Sequence, residues 1–210
     1  MPDALLEGYR RFRDGYYRDH RDELEALAEG QSPRIAVVSC CDSRVDPTIV
    51  FDAHPGELFV IRNVASLVPP CESEGHYHGT SAALEFAVTG LKVEHIVVLG
   101  HAQCGGVRAM IETHASQKTD PQTFIESWVS LGYPCLEELK EHAKGECPPA
   151  KAVEQAAVRL SLENLQTFPW VAERMAEGKL NLHGWYYDLA TSTVERLETL
   201  EGSAMVKGST

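Results

Sequence analysis

Two short apolar runs, each ending in side chains that can bind a metal, constrain this chain more than any other feature. The first run is Ile35–Cys40 (Ile-Ala-Val-Val-Ser-Cys), and the second covers 95–100 (His-Ile-Val-Val-Leu-Gly). Runs of this length that are rich in β-branched residues are typical of strands buried in a parallel sheet. The helical pattern over 79–91 lies between them and supplies the crossover that parallel strands need. The pattern predicts an α/β fold.

The rest of the chain extends this pattern. Further strands are predicted over 57–63 and 180–189, and a weaker run over 193–197 reads as a hairpin partner. We therefore expect a mostly parallel central sheet, with four parallel strands plus an antiparallel edge strand, flanked by helices. Two amphipathic helical segments are predicted within 4–29, with a break near Gly15. Further helices are predicted at 79–91, from 105 onward, and at 121–143, 149–167 and 170–177. The predicted organisation is one domain over 1–210, with a helical arm at 1–30, an α/β core at 31–201 and a mobile tail at 202–210.

Composition excludes several classes of function. A net charge of −12 argues against nucleic acid as a partner, because phosphate binding needs a basic surface. No apolar stretch approaches the length of a membrane span, and the first residues do not resemble a secretory signal. In such a chain we expect the six cysteines to be reduced thiols or metal ligands, and we expect the protein in the cytoplasm.

Thiol and imidazole side chains stand at the carboxyl ends of the two apolar runs. Cys40 ends the first run, and His101 and Cys104 follow the second. Because the carboxyl ends of neighbouring parallel strands lie at one edge of a sheet, we expect these three side chains to converge. Two thiolates and an imidazole are a zinc-binding set that leaves one coordination position open for chemistry. Each residue alone could equally be structural, and Cys41 competes with Cys40, although adjacent strand residues point to opposite sides.

Asp42 and Arg44 follow the first cysteine and can be interpreted in two ways. They could form an ordinary structural ion pair, or Arg44 could hold the Asp42 carboxylate beside the metal so that one carboxylate oxygen is free to orient water. We favour the second interpretation, because a buried acid beside a metal is costly unless it is used. Gly105 and Gly106 begin the next helix. They could be a flexible joint, or their backbone N–H groups could bind an anion at the helix N-terminus.

Together these residues resemble the signature of one enzyme family. The motifs are Cys40-x-Asp42-Ser43-Arg44 and His101-x-x-Cys104-Gly105. This pair is similar to the β-class carbonic anhydrases, and the likeness, which runs from about Gln31 to Met110, is nearest to their plant-type branch. The resemblance implies zinc held by Cys40, His101 and Cys104, with Asp42 and Arg44 as the catalytic dyad.

The same resemblance implies an activity. It is the reversible hydration of carbon dioxide to bicarbonate and a proton, by attack of zinc-bound hydroxide that the dyad orients. The implied substrate-binding residues are Gln31, Phe59, Phe86, Gly105 and Gly106. Family sites lie at a dimer interface, so a homodimer or a multiple of it is expected. We also expect water, and not Asp42, in the fourth zinc position near neutral pH, since Val37 stands where another branch has a tryptophan.

Two alternatives remain open from the sequence. The same zinc site could hydrolyse carbon disulfide or carbonyl sulfide, as in some relatives, if access to the pocket were narrowed. A non-catalytic zinc-binding or thiol-redox sensor is the other class. A sensor would have no need of the dyad, yet Asp42 and Arg44 are both present.

Overall fold

A five-stranded sheet forms the centre of the computed structural model, which describes residues 2–72, 78–116, 123–143 and 148–200. The strands are β1 (Ile35–Cys40), β2 (Leu58–Asn63), β3 (His95–His101), β4 (Asn181–Asp188) and β5 (Thr193–Leu200). Their order is β2-β1-β3-β4-β5; the first four are parallel, and β5 pairs antiparallel with β4. The predicted fold class is confirmed. The tail predicted at 202–210 lies outside the described residues.

Nine helices surround the sheet in the described part of the chain. They are α1 (Pro2–Phe12), α2 (Arg21–Leu27), α3 (Pro47–Val50), α4 (Gly79–Glu85), α5 (Gly105–Ala115), α6 (Phe124–Val129), α7 (Tyr133–His142), α8 (Ala150–Gln166) and α9 (Pro169–Ala176). Two π-helical turns, Arg13–Tyr17 and Phe86–Gly90, continue α1 and α4. None of these helices combines the length and apolar character that a membrane span requires.

Two predicted helix boundaries were wrong. The break expected near Gly15 lies at His20, whose backbone is not helical (φ −121°, ψ 30°), because the π-helical turn carries the chain through Gly15. The single helix expected over 121–143 is two helices in its described part, α6 and α7. A 3₁₀ turn at Ser130–Gly132 separates them, and a proline in the first turn of α7 starts the new helix.

Helix α8 lies unusually close to the sheet. A Cβ atom at Gly100 in β3 would be 2.5 Å from Cγ2 of Val158, and one at Gly184 in β4 would be 2.9 Å from Cδ1 of Leu162. Both distances are too short for a real side chain, so α8 can pack here only because both positions are glycine. This contact fixes the register of α8 against β3, the strand that ends at His101.

Candidate active site and metal centre

Three predicted metal ligands meet at the carboxyl ends of β1 and β3. Cys40 is the last residue of β1, His101 is the last of β3, and Cys104 precedes α5. All three are buried, and their ligand atoms lie within 4.8 Å of one another. The two Sγ atoms are 3.9 Å apart. Zn–S bonds of about 2.3 Å at a tetrahedral angle would separate the sulfurs by roughly 3.8 Å. The geometry therefore fits zinc.

The imidazole of His101 has one nitrogen bonded and the other without a partner. Nδ1 lies 2.9 Å from the backbone oxygen of Ala102 and so carries the proton. Nε2 is buried and makes no hydrogen bond with any described residue. An unpaired buried ring nitrogen is costly. A metal-ligating histidine typically donates its other ring N–H to a carbonyl or carboxylate, and His101 has this arrangement.

The two thiols lie within hydrogen-bonding distance of each other. A hydrogen bond from the Cys104 thiol lowers the pKa of Cys40, and this outweighs the opposing effect of burial. The same contact, together with burial, raises the pKa of Cys104, although the backbone amides of Val107 and Gly106 favour its thiolate. The contact therefore favours a thiolate at Cys40 and a protonated thiol at Cys104. A divalent cation would replace that proton and favour both thiolates.

Asp42 and Arg44 form a bidentate pair beside this group. Nε of Arg44 donates to Oδ1 of Asp42 at 2.9 Å, and Nη2 donates to Oδ2 at 2.7 Å. The backbone N–H of Arg44 also donates to Oδ1, at 3.0 Å. These bonds hold the pKa of the Asp42 carboxyl well below its usual value. Nη2 reaches further, to the backbone oxygen of Gln103 at 3.1 Å, and so joins the loop after β1 to the loop after β3.

Strand β1 ends at Cys40, so Asp42 and Arg44 lie in a turn, which the Val45 N–H closes by donating to the Asp42 carbonyl at 3.1 Å. Each carboxylate oxygen accepts from Arg44. Oδ2 accepts one bond in the described structure and keeps one acceptor position.

Left-handed backbone surrounds the thiols. Ala65 (φ 65°) and Ser66 (φ 57°) follow β2, and Gln103 (φ 55°) precedes Cys104. Non-glycine residues seldom adopt this conformation, and it persists only where surrounding contacts enforce it. The backbone amide of Ala65 helps to lower the pKa of Cys40 and so favours its thiolate. The strained turn is therefore part of the metal centre.

Gly106 packs directly against this turn. A Cβ atom on Gly106 would be 2.7 Å from Cγ1 of Val64 and 2.9 Å from the Cβ of Ala65. A Cβ on Gly105 would meet nothing within 4 Å. Gly106 is thus a close-packing position inside α5, an interpretation that neither sequence-based hypothesis included.

Comparison with known proteins identifies the family. The family model described as "Carbonic anhydrase" matches residues 35–194. The chain belongs to the β-class carbonic anhydrase family. The chain is 37% identical over 199 residues to the chloroplastic β carbonic anhydrase 5 of Arabidopsis thaliana, covering 92% of this chain and 64% of that protein. It is 35% identical over 192 residues to a carbonic anhydrase of Synechococcus elongatus, and the match covers 90% of this chain and 69% of that protein.

Solved β-carbonic anhydrases share the fold. The β-carbonic anhydrase CcaA has a TM-score of 0.85 and 30% identity, over 97% of this chain and 92% of that one. A tetrameric β-carbonic anhydrase of Sordaria macrospora has a TM-score of 0.79 and 26% identity, and the match covers 93% of this chain and 95% of that one. The predicted resemblance to this family is confirmed.

The other carbonic anhydrase residues predicted from the family motif are not all at the metal centre. Phe59 and Phe86 contact each other, with ring centroids 5.9 Å apart, and Phe86 is 52% exposed. Phe59 pairs with Ala36 in the register of β1 and β2. Ala36 lies four residues before Cys40, so Phe59 is roughly 13 Å from the Cys40 position along the strand direction. Gln31 is exposed and precedes β1.

The structure therefore does not bring Gln31, Phe59 and Phe86 to the metal ligands of their own chain, because they lie toward the amino ends of the strands. Gly105 and Gly106 do follow Cys104 directly. The competition between the adjacent thiols is resolved by burial: Cys40 is buried, whereas Cys41 is exposed.

Two residues outside the predicted set of site residues support the metal centre. Arg62 donates through Nε to the Cys40 carbonyl at 3.0 Å and through Nη2 to the carbonyls of Asp42 and Val45 at 2.7 and 2.8 Å. Glu154 accepts from the Cys104 N–H at 3.0 Å. A signal existed for Glu154, since helical spacing places this acid among the buried residues of α8.

Proposed function

We propose that this protein catalyses the reversible hydration of carbon dioxide to bicarbonate and a proton, with zinc held by Cys40, His101 and Cys104. The observation that carries the proposal is the convergence of these three buried ligand atoms within 4.8 Å. The membership of the chain in the β-class carbonic anhydrase family supports it. Because the chain spans 64% of the Arabidopsis relative, the activity itself is proposed for this chain.

Zinc, when bound, would lower the pKa of water to about 7 and so supply a hydroxide nucleophile near neutral pH. The protein would contribute two thiolates and the Nε2 atom of His101. The Ala102 carbonyl holds the proton of this histidine on Nδ1, at 2.9 Å, and thereby leaves Nε2 available.

Asp42 would orient the attacking oxygen, and Arg44 would keep Asp42 ionised and aimed. The acceptor position left on Oδ2 can take a hydrogen bond from that oxygen. Both carboxylate oxygens already accept from Arg44, and this pairing supports water, and not Asp42, as the fourth ligand. The amide of Gly106 contacts the Cys104 sulfur, so the amide of Gly105 is the one we propose for bicarbonate.

We propose that the active form is a homodimer or a multiple of it. The tetramer of the Sordaria relative supports this assignment. The proposed substrate contacts of Gln31, Phe59 and Phe86 require a second copy of the chain, because these residues are remote from their own metal centre. Light scattering after gel filtration tests the oligomer.

The cytoplasm is the compartment that we propose, since the described cysteines are free thiols. Two relatives are named for the chloroplast and the mitochondrion, so cell fractionation is the test of this assignment.

Zinc content per chain, measured together with stopped-flow hydration of carbon dioxide, tests the activity. The key variant is Asp42→Ala, which should keep zinc and lose most hydration. Glu94→Ala is the matched control, because Glu94 forms a similar two-bond pair with Arg34 at the opposite end of the sheet. Zinc-loaded protein without hydration activity, or an active Asp42→Ala variant, would contradict the proposal.

A further inference from the structure

A buried carboxylate lies behind the metal centre and is not used in the chemistry above. Glu154, on α8, is 5% exposed. Its Oε1 accepts from the backbone N–H of Cys104 at 3.0 Å, and its Oε2 accepts from the hydroxyl of Tyr186 at 2.6 Å. Tyr186, in β4, is itself 2% exposed. The carboxylate is therefore enclosed and held at both oxygens.

Within the described parts of the chain, no cationic side chain forms an ion pair with Glu154. None of the ion pairs formed within the described ranges includes Glu154. Lys151, one turn earlier on α8, instead lies 3.4 Å from a carboxylate oxygen of Glu195 and 5.4 Å from the ring centre of Tyr186. A buried acid without a cationic partner is costly. This cost suggests that Glu154 has a role that an apolar residue could not fill.

The bond to Cys104 constrains the direction of a proposed metal ligand. The residue before Cys104, Gln103, is left-handed (φ 55°), and Cys104 itself is extended (φ −67°, ψ 120°) as the residue that precedes α5. The chain thus turns sharply at the sulfur that must face Cys40. The Glu154 carboxylate accepts from the Cys104 N–H and so holds this turn at the backbone of the proposed ligand.

We propose that Glu154 is a positioning residue for the metal centre: by holding the amide of Cys104 it sets the geometry of the sulfur ligand, and Tyr186 in turn orients Glu154. The close approach of α8 to Gly100 and Gly184 places the carboxylate for this role. This inference rests on the proposed zinc site, and partners of this kind typically contribute about 10–100-fold to metal affinity or activity.

The test measures metal binding and metal geometry, not activity alone. Zinc affinity is measured by competition with a chromophoric chelator, and ligand geometry by the visible absorption of the Co²⁺-substituted protein. Glu154→Ala should weaken zinc binding by about 10–100-fold and shift the cobalt spectrum. Glu154→Gln keeps an acceptor oxygen for the Cys104 amide and should restore the wild-type spectrum.

Ser161→Ala is the matched control. Ser161 lies on the same helix, is 1% exposed, and bonds the Val68 N–H and the Ala157 carbonyl, away from the metal ligands. This variant should lower stability and leave the zinc affinity and cobalt spectrum unchanged. Tyr186→Phe removes one donor from Glu154 and should shift the spectrum in the same direction as Glu154→Ala, so it decides the question if Glu154→Ala does not fold.

Equal zinc affinity and equal cobalt spectra in the wild-type, Glu154→Ala and Tyr186→Phe proteins would overturn the inference and leave Glu154 a purely structural residue. A shift in Ser161→Ala as large as that in Glu154→Ala would overturn it too. Failure of the proposed function is separately visible, because the wild-type protein would then bind no zinc or show no hydration.

Discussion

The contact between α5 and the turn at Ala65 predicts opposite effects for alanine at two adjacent glycines. In Gly106→Ala, the new Cβ would lie 2.7 Å from Cγ1 of Val64, 2.9 Å from the Cβ of Ala65 and 3.1 Å from its backbone nitrogen. Side-chain rotation cannot relieve the two contacts with Ala65, so the turn must move. Overpacking of this kind costs roughly 1–3 kcal/mol, which for a chain of this size corresponds to a fall in Tm of roughly 2–12 °C.

Gly105→Ala is the control for this prediction. Its Cβ would enter open space, and its φ is not in the left-handed region. Alanine there should raise the free energy of unfolding by roughly 0.4–1 kcal/mol, because it restricts the unfolded chain. Urea denaturation of the two variants at pH 7.5 measures the difference. Because the Ala65 amide favours the Cys40 thiolate, a shift of this turn in Gly106→Ala should also lower zinc retention during dialysis.

The result that would refute this reasoning is a Gly106→Ala protein as stable as the wild type and with equal zinc content. A Gly105→Ala protein less stable than Gly106→Ala would refute it as well, since the sign of the difference follows from the space around each glycine alone.

Further predictions concern pH, thiol reactivity and metal removal. Because Arg44 depresses the pKa of Asp42, the stability that ionised Asp42 contributes is fully present above its unfolded pKa of about 4. The wild-type protein should therefore be more stable than Asp42→Asn at neutral pH. This difference in the free energy of unfolding, measured with urea, should shrink as the pH falls below about 4. Burial raises the pKa of Cys135 to about 12, so iodoacetamide at pH 8 should modify exposed Cys41 and Cys71 before Cys135, as followed by mass spectrometry. Chelation of zinc should lower the Tm measured by scanning calorimetry, and added Zn²⁺ should restore it, because a ligand that binds only the folded state stabilises that state. An unchanged Tm would contradict zinc binding to the folded protein.

The sequence alone predicted the strands that end at the proposed ligands. Ile35–Cys40 and His95–His101 each contain an apolar run rich in β-branched residues, which is the composition typical of a strand buried on both faces. Once both are parallel neighbours, their carboxyl ends must adjoin, so the meeting of Cys40 with His101 follows from pattern and topology. The burial of Cys40 and the exposure of Cys41 agree with the motif, which had already assigned Cys40.

Only the tertiary structure determined the backbone conformation and the contacts around those proposed ligands. Ala65 and Ser66 are left-handed although neither residue type predicts it, because Gly106 and Leu99 constrain them from other elements. The distance of Phe59 from the ligands depended on strand register, which a motif does not contain.

Glu154 shows the physical reason for this division. An amphipathic pattern places it on the buried face of α8, but its contact with Cys104 spans fifty positions along the chain. The contact exists because Gly100 and Gly184 let α8 approach the sheet at one register. Local composition fixes which residues are buried, whereas the partner of a buried polar group depends on how distant elements pack.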